Sequence, residues 1–159
     1  QDDRRIHYGS GEGHRAAYRG GLSIMSETAL WKMIRPVVRP LDARRVENRC
    51  EKGMPDVNYI GGWIELKQQD AWPKRATTVV RLDHDLSKEQ RIWINRREKK
   101  GGTVFVLLQV ARDYLLLSGG TATTIIGEAT QAELRSAALH VWTSKTLKEE
   151  LLECLRQVK

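Results

Sequence analysis

The stretch Asp56-Val57-Asn58-Tyr59-Ile60-Gly61-Gly62-Trp63-Ile64-Glu65-Leu66-Lys67 decides how this chain is read. Two short strand-like runs, 56–60 and 63–67, are joined by Gly61-Gly62. Two glycines in that position predict a hairpin with a two-residue turn. Such a turn places Ile60 opposite Trp63, Asn58 opposite Glu65 and Asp56 opposite Lys67. Paired residues share a face, and so do residues two apart. Asp56, Asn58, Glu65 and Lys67 therefore leave on one side. Val57, Tyr59, Ile64 and Leu66 leave on the other, an apolar side that needs a core to cover it.

The polar side carries a definite chemistry. Two carboxylates diagonal across a strand pair lie about 7 Å apart at Cα, so their oxygens can converge on one hard cation. Mg²⁺ takes oxygen ligands, keeps several waters, and is held by one or two carboxylates plus phosphate. Lys67 points to the same place, where an ammonium positions water or stabilises charge on a phosphate. A crowded lysine with a lowered pKa is also a base. These parts suit hydrolysis of a phosphodiester. A solvated strand face with an ordinary Asp–Lys pair fits the same spacing.

Outward from the hairpin, Ser26 reads as an N-cap with Glu27 in the first turn. Glu27, Leu30, Trp31 and Ile34 share one helix face, and Pro36 and Pro40 end or kink that helix. Arg44 to Cys50 reads as a short strand. Gln68 to Leu86 reads as a loop. Ser87 to Lys100 reads as a helix ended by Gly101-Gly102, with Ser87-x-x-Gln90 as a capping box. Thr103 to Val110 and Asp113 to Leu117 read as a second hairpin. Thr124 to Ile126 is β-prone. Gln131 to Ala138 and Leu147 to Val158 read as helices. Residues 1–24 are Gly-, Arg- and His-rich without period and read as a flexible basic arm, leaving 25–159 as one domain.

The chain has 159 residues, with 27 Lys plus Arg against 20 Asp plus Glu, a formal net charge of +7. That length suits one domain. No apolar run approaches the roughly 18 residues of a membrane span, so no membrane partner is expected. Cys50 and Cys154 are too few for a disulfide scaffold or a four-thiolate zinc site, which makes the cytoplasm the default compartment. The positive excess suits a polyanion. It is dense on one helix, where Lys88, Arg91, Arg96, Arg97, Lys99 and Lys100 face only Glu89 and Glu98. With Arg45 and Arg49 these residues form a candidate track for DNA phosphates, a backbone contact rather than a sequence-reading one. Trp72, in the loop after Lys67, is the best candidate to stack on an unpaired base or wedge a junction, with core packing as its alternative role.

Pro55-Asp56 followed by Glu65-Leu66-Lys67 resembles the PD-(D/E)XK nuclease signature. The wider run Arg45-Val46-Glu47-Asn48, Gly53, Pro55 to Tyr59 and Gly61 to Lys67 resembles the VRR-NUC branch in its small stand-alone phage forms. So does Leu86-Ser87-Lys88-Glu89-Gln90 leading to Trp93, then Gly101-Gly102 before an apolar strand. The resemblance covers roughly residues 26–118.

It implies an α/β, restriction-endonuclease-like core: a mixed sheet flanked by helices. It also implies Mg²⁺- or Mn²⁺-dependent cleavage of DNA. Asp56 and Glu65 would hold the metal, with a main-chain ligand from the Ile64 or Leu66 carbonyl, and Lys67 would position water or phosphate. Glu27 would reach the metal from the first helix; otherwise it serves only the helix dipole. Gln90 would orient water or DNA, or only close the capping box. Glu47 and Asn58 would support the ligands, or be ordinary strand residues. The family also raises the prospect of a homodimer acting on branched DNA such as four-way junctions, with linear duplex or flap DNA as alternatives. An inert DNA-binding module that kept the fold is the rival, and a small oxygen-ligated metalloprotein a third.

Overall fold

The computed structural model describes residues 26–47 and 51–157. The arm at 1–24, Arg49 and Cys50 lie outside them. Helix α1 is Glu27–Val38, and Ser26 caps it by accepting the Ala29 N–H at 3.2 Å. Pro36 lies inside α1 and does not end it. A proline in the final turn removes one N–H from the ladder, and the buried Leu30, Trp31, Ile34 and Val38 hold the helix regardless. One 3₁₀ turn, Arg39–Leu41, contains Pro40 and leads to strand β1, Arg44–Arg45. Among the described residues of the expected strand at 44–50, only Arg44–Arg45 form it.

Strands β2 (Val57–Tyr59) and β3 (Gly62–Gln69) form the hairpin. Its register differs from expectation: Tyr59 pairs with Gly62, Asn58 with Trp63 and Val57 with Ile64. The turn is Ile60-Gly61, which leaves Ile60 83% exposed. Gly62 belongs to the strand because the chain crowds it: a Cβ there would lie 2.4 Å from the Thr103 carbonyl oxygen. The slip is two residues, so the division of faces survives, whereas one residue would have inverted it.

After β3 the chain passes through the 70–87 loop into α2 (Lys88–Lys99) and returns as β4 (Val104–Val110), parallel to β3. β5 (Asp113–Ser118) pairs antiparallel with β4 through a turn in which Ala111 has φ 53°. The Thr124 to Ile126 region is not a strand. It ends helix α3 (Gly119–Ile125), capped by Ser118, with Gly119 pressed so close to Ile94 that a Cβ would meet its methyl at 2.5 Å. Packing overrides the weak helix propensity of Gly and Thr here.

Helix α4 (Gln131–Ala137), the unforeseen edge strand β6 (His140–Trp142) and α5 (Ser144–Gln157) complete the described chain. The result is a single-domain α/β fold. Its mixed six-stranded sheet runs β1-β2-β3-β4-β5-β6, antiparallel except at β3–β4. Among the described residues, no helix is long and apolar enough to cross a membrane.

Two cores sandwich the sheet. One packs Val57, Tyr59, Ile64, Leu66 and Leu107 against α1 and α5. The other packs Trp93 and Ile94 of α2, Ala122 of α3 and Leu134 of α4 against Val104, Val106, Leu108, Leu115 and Leu117. Trp63, Glu65 and Lys67 lie on the α2 side by alternation.

Candidate active site

The hairpin opens where chemistry collects. β2 begins at Val57, while β3 runs on to Gln69. Leu66 therefore lies beyond the ladder, and its N–H is donated to Asp56 Oδ2 at 2.9 Å. In an antiparallel pair, the N–H and C=O of one residue point to the same side. The Leu66 carbonyl thus faces the gap that holds the Asp56 carboxylate. Ile64 is paired with Val57 inside the ladder. This makes Leu66, rather than Ile64, the residue with a main-chain oxygen to offer a cation.

Glu65 is 1% exposed, and its environment is specific. Lys67 Nζ lies 3.0 Å from Oε1, and the Gln90 side-chain amide donates to the same oxygen. The other oxygen, Oε2, is buried with no hydrogen-bond partner among the described residues. Burial pushes the Glu65 carboxyl up to about 7. The negative charge of Asp56 adds to the rise, and Lys67 opposes it.

Glu27 reaches the same lysine from the first turn of α1, 3.8 Å from Nζ. Its carboxyl is also raised, mainly by burial; Lys67 opposes that rise and Asp56 reinforces it. The exposed His84 and the half-buried Arg45 favour its charged form. Sheet, hairpin gap and helix terminus thus bring Glu27, Asp56, Glu65, Lys67 and Gln90 together.

Gln90 closes the capping box and also reaches Glu65. Its Oε1 accepts the Ser87 N–H at 2.9 Å, while its own N–H donates to Ser87 Oγ at 3.1 Å. The capping box therefore fixes the amide with its NH₂ toward Glu65.

The supporting candidates fare differently. Asn58 sits opposite Trp63, not Glu65, and its amide donates to the Gly62 carbonyl at 3.2 Å, bracing the turn. Glu47 is exposed just past β1, and no ion pair or hydrogen bond joins it to the acidic group. Trp72 is half-buried, held by Asp113 Oδ2 at 2.8 Å and packed against the α2-side core, as Trp63 also is.

The basic track also divides. Arg91 does not present itself to solvent phosphates. Its guanidinium donates to the carbonyls of Leu86, Thr123 and Ile126 and to Asp85, fastening α2 to the 119–126 region. Arg96 pairs with Glu51 at 2.9 Å, and Arg97 lies over the Trp93 ring, 5.9 Å from its centroid. Lys88, Lys99 and Lys100 are exposed. Arg45 is half-buried and donates to Thr28 of α1 at 3.2 Å.

No three His, Cys, Asp or Glu side chains among the described residues stand as a ready metal cluster. Mg²⁺ asks for less: one or two carboxylates, with water and phosphate filling its shell. Glu65 Oε2, the Asp56 carboxylate and the Leu66 carbonyl are all hard oxygen donors. The orphaned Glu65 oxygen is what a cation would satisfy. The donor set therefore fits Mg²⁺ or Mn²⁺, with Lys67 as the counter-charge in the same structure.

No family model, no curated protein and no solved structure matches this chain.

Two features had escaped the sequence reading. One is the cavity beside the site, walled by Trp63 and Trp93. The other is the fastening role of Arg91. Trp63 was legible in principle, because alternation puts it on the face of Glu65.

Proposed function

We propose that the chain is a Mg²⁺- or Mn²⁺-dependent DNA endonuclease with a restriction-endonuclease-like core, of the PD-(D/E)XK type and its VRR-NUC branch. The observation that carries this reading is the buried Glu65 carboxylate. One of its oxygens is held by Lys67 and Gln90, and the other, near the charge of Asp56, has no partner among the described residues. An unpaired buried polar atom costs about 1–3 kcal/mol, more when charged, so its retention suits a ligand-binding role.

The residues divide the work. Asp56, Glu65 and the Leu66 carbonyl would hold the cation, with Glu27 at the rim. A bound cation supplies a polarised phosphoryl oxygen and a more acidic water. Lys67 Nζ, between Glu65 and Glu27, stabilises charge on the phosphate or positions the attacking water. Gln90, locked by Ser87, keeps Glu65 in its rotamer. Lys88, Lys99, Lys100 and Arg97 supply backbone contacts to DNA. A homodimer acting on four-way or otherwise branched DNA would place one such site on each strand.

The ion pairs of Lys67 with both Glu65 and Glu27 favour a second reading, a DNA-binding module whose acids are neutralised internally. Incubation with labelled linear, flapped and four-way DNA in Mg²⁺, with and without chelator, separates the two. Chelator-sensitive cutting is expected. Unaltered DNA on every substrate, with binding intact, would establish the inert module instead.

A further inference from the structure

Beside the acidic group lies a cavity of about 620 Å³, within the range of about 300–1,000 Å³ typical of ligand sites. Its walls come from the segments that build the site. Met54 is two residues before Asp56, Trp63 is two before Glu65, and Trp93 is three after Gln90. The Trp63-to-Glu65 offset along β3 is about 7 Å, roughly the spacing of one nucleotide.

The lining pairs aromatic surface with positive charge. Trp63 and Trp93 meet edge to face, with ring centroids 5.3 Å apart. Trp93 is buried beneath Arg97, whereas Trp63 is half-buried and has ring surface left for the cavity. Arg96, Arg97 and Lys100 stand on the rim against one acid, Glu51, which Arg96 engages. Gly101 and Gly102 complete the wall without side chains of their own.

A tryptophan with free ring surface and a cationic rim match a nucleotide's two parts, the base and the phosphate. The occupant has to be unpaired. A base inside a duplex is stacked above and below, and a double helix does not enter a concavity of this size.

We infer that this cavity receives one unpaired DNA nucleotide flanking the scissile phosphate, its base against Trp63 and its phosphate against Arg97 and Lys100. The inference rests on the nuclease reading for the word scissile. It specifies the substrate class as DNA with an unpaired nucleotide at a junction, flap or gap.

The test has two readouts on the full chain. In Ca²⁺, 2-aminopurine is placed singly at each position around the branch point of a flapped duplex and its fluorescence is followed on binding. In Mg²⁺, abasic nucleotides are scanned across the same positions and cleavage is timed. Quenching is expected at one position, lost in Trp63→Ala and kept in Trp63→Phe. An abasic nucleotide there is expected to slow cutting at least fivefold, the lower end of one base–aromatic stack.

Equal cutting at every abasic position, or quenching unchanged in Trp63→Ala, would overturn the inference and leave the nuclease reading standing. If no DNA is cut, the nuclease reading falls, and the quenching pattern alone decides the cavity. If Trp63→Ala does not fold, the abasic scan on the wild-type chain, which needs no variant, decides it.

Discussion

Replacing Glu65 by glutamine tests the electrostatics of the site in isolation. Glutamine mimics the protonated carboxyl and keeps its shape. Burial and the charge of Asp56 raise Glu65 from its ordinary 4.5 to about 7 in the folded chain. Between those values the folded state holds a proton that the unfolded state has released. Stability therefore falls as pH rises through that window, is unaffected below it, and stays lower above it. A rise from 4.5 to about 7 corresponds to about 3 kcal/mol. Glutamine cannot ionise and escapes that loss. Urea denaturation from pH 4 to 8.5 should find Glu65→Gln close to wild type at the acid end and about 3 kcal/mol more stable above pH 7. The other acids titrate in both proteins and largely cancel in the difference. A difference that is flat across pH, or that favours wild type at high pH, would refute the assignment of Glu65 as a buried carboxylate held in an unfavourable state. Saturating Mg²⁺ should stabilise wild type above pH 7 and leave the variant nearly unmoved, because only an ionised Glu65 rewards the cation.

The remaining expectations follow from single contacts. Gln90→Ala removes both a helix cap and a Glu65 partner; denaturation should lose about 1 kcal/mol, and cutting should fall by more than that loss of folded protein explains. Ser87→Ala removes the hydroxyl that accepts the Gln90 main-chain N–H but keeps the Ser87 N–H on Gln90 Oε1, so denaturation should lose about 1 kcal/mol while cleavage timed under folded conditions stays near wild type. Arg91→Ala should lower stability by about 2 kcal/mol through the carbonyls it abandons, with no change in the salt dependence of DNA binding. Lys99→Ala should do the reverse, keeping stability while lowering the slope of log binding constant against log salt by about 1. Cleavage rate in Mg²⁺ should rise with pH as Glu65 ionises, with a midpoint below 7 because the cation favours the carboxylate; a rate falling over that range would contradict the ligand role.

Much of the site was legible because strand alternation is robust. Asp56, Glu65 and Lys67 were placed on one face from spacing alone, and a two-residue slip in register left that face intact. Ser26 and Ser87 announced their helices through local hydrogen bonds that need no tertiary contact. What failed was set by distant packing. Gly62 looked like a turn residue, but a side chain there would meet the Thr103 carbonyl just before β4. Helix α3 was hidden in a Gly- and Thr-rich run, and its Gly119 is fixed by contact with Ile94. Arg91 looked like its exposed neighbours until the 119–126 region arrived to take its donors. Glu27 lay between two roles on sequence grounds, and its 3.8 Å approach to Lys67 brings it to the site.

If Glu65 serves metal-dependent cutting of DNA, removing its charge alone must abolish that cutting. Wild type and Glu65→Gln, matched for DNA binding in Ca²⁺, are given the same branched DNA in Mg²⁺ and the products are resolved on a denaturing gel. Chelator-sensitive cutting is expected of wild type and none of Glu65→Gln, although the variant should bind as well and be the more stable protein at neutral pH and above. Equal cutting by the two would contradict that role of Glu65.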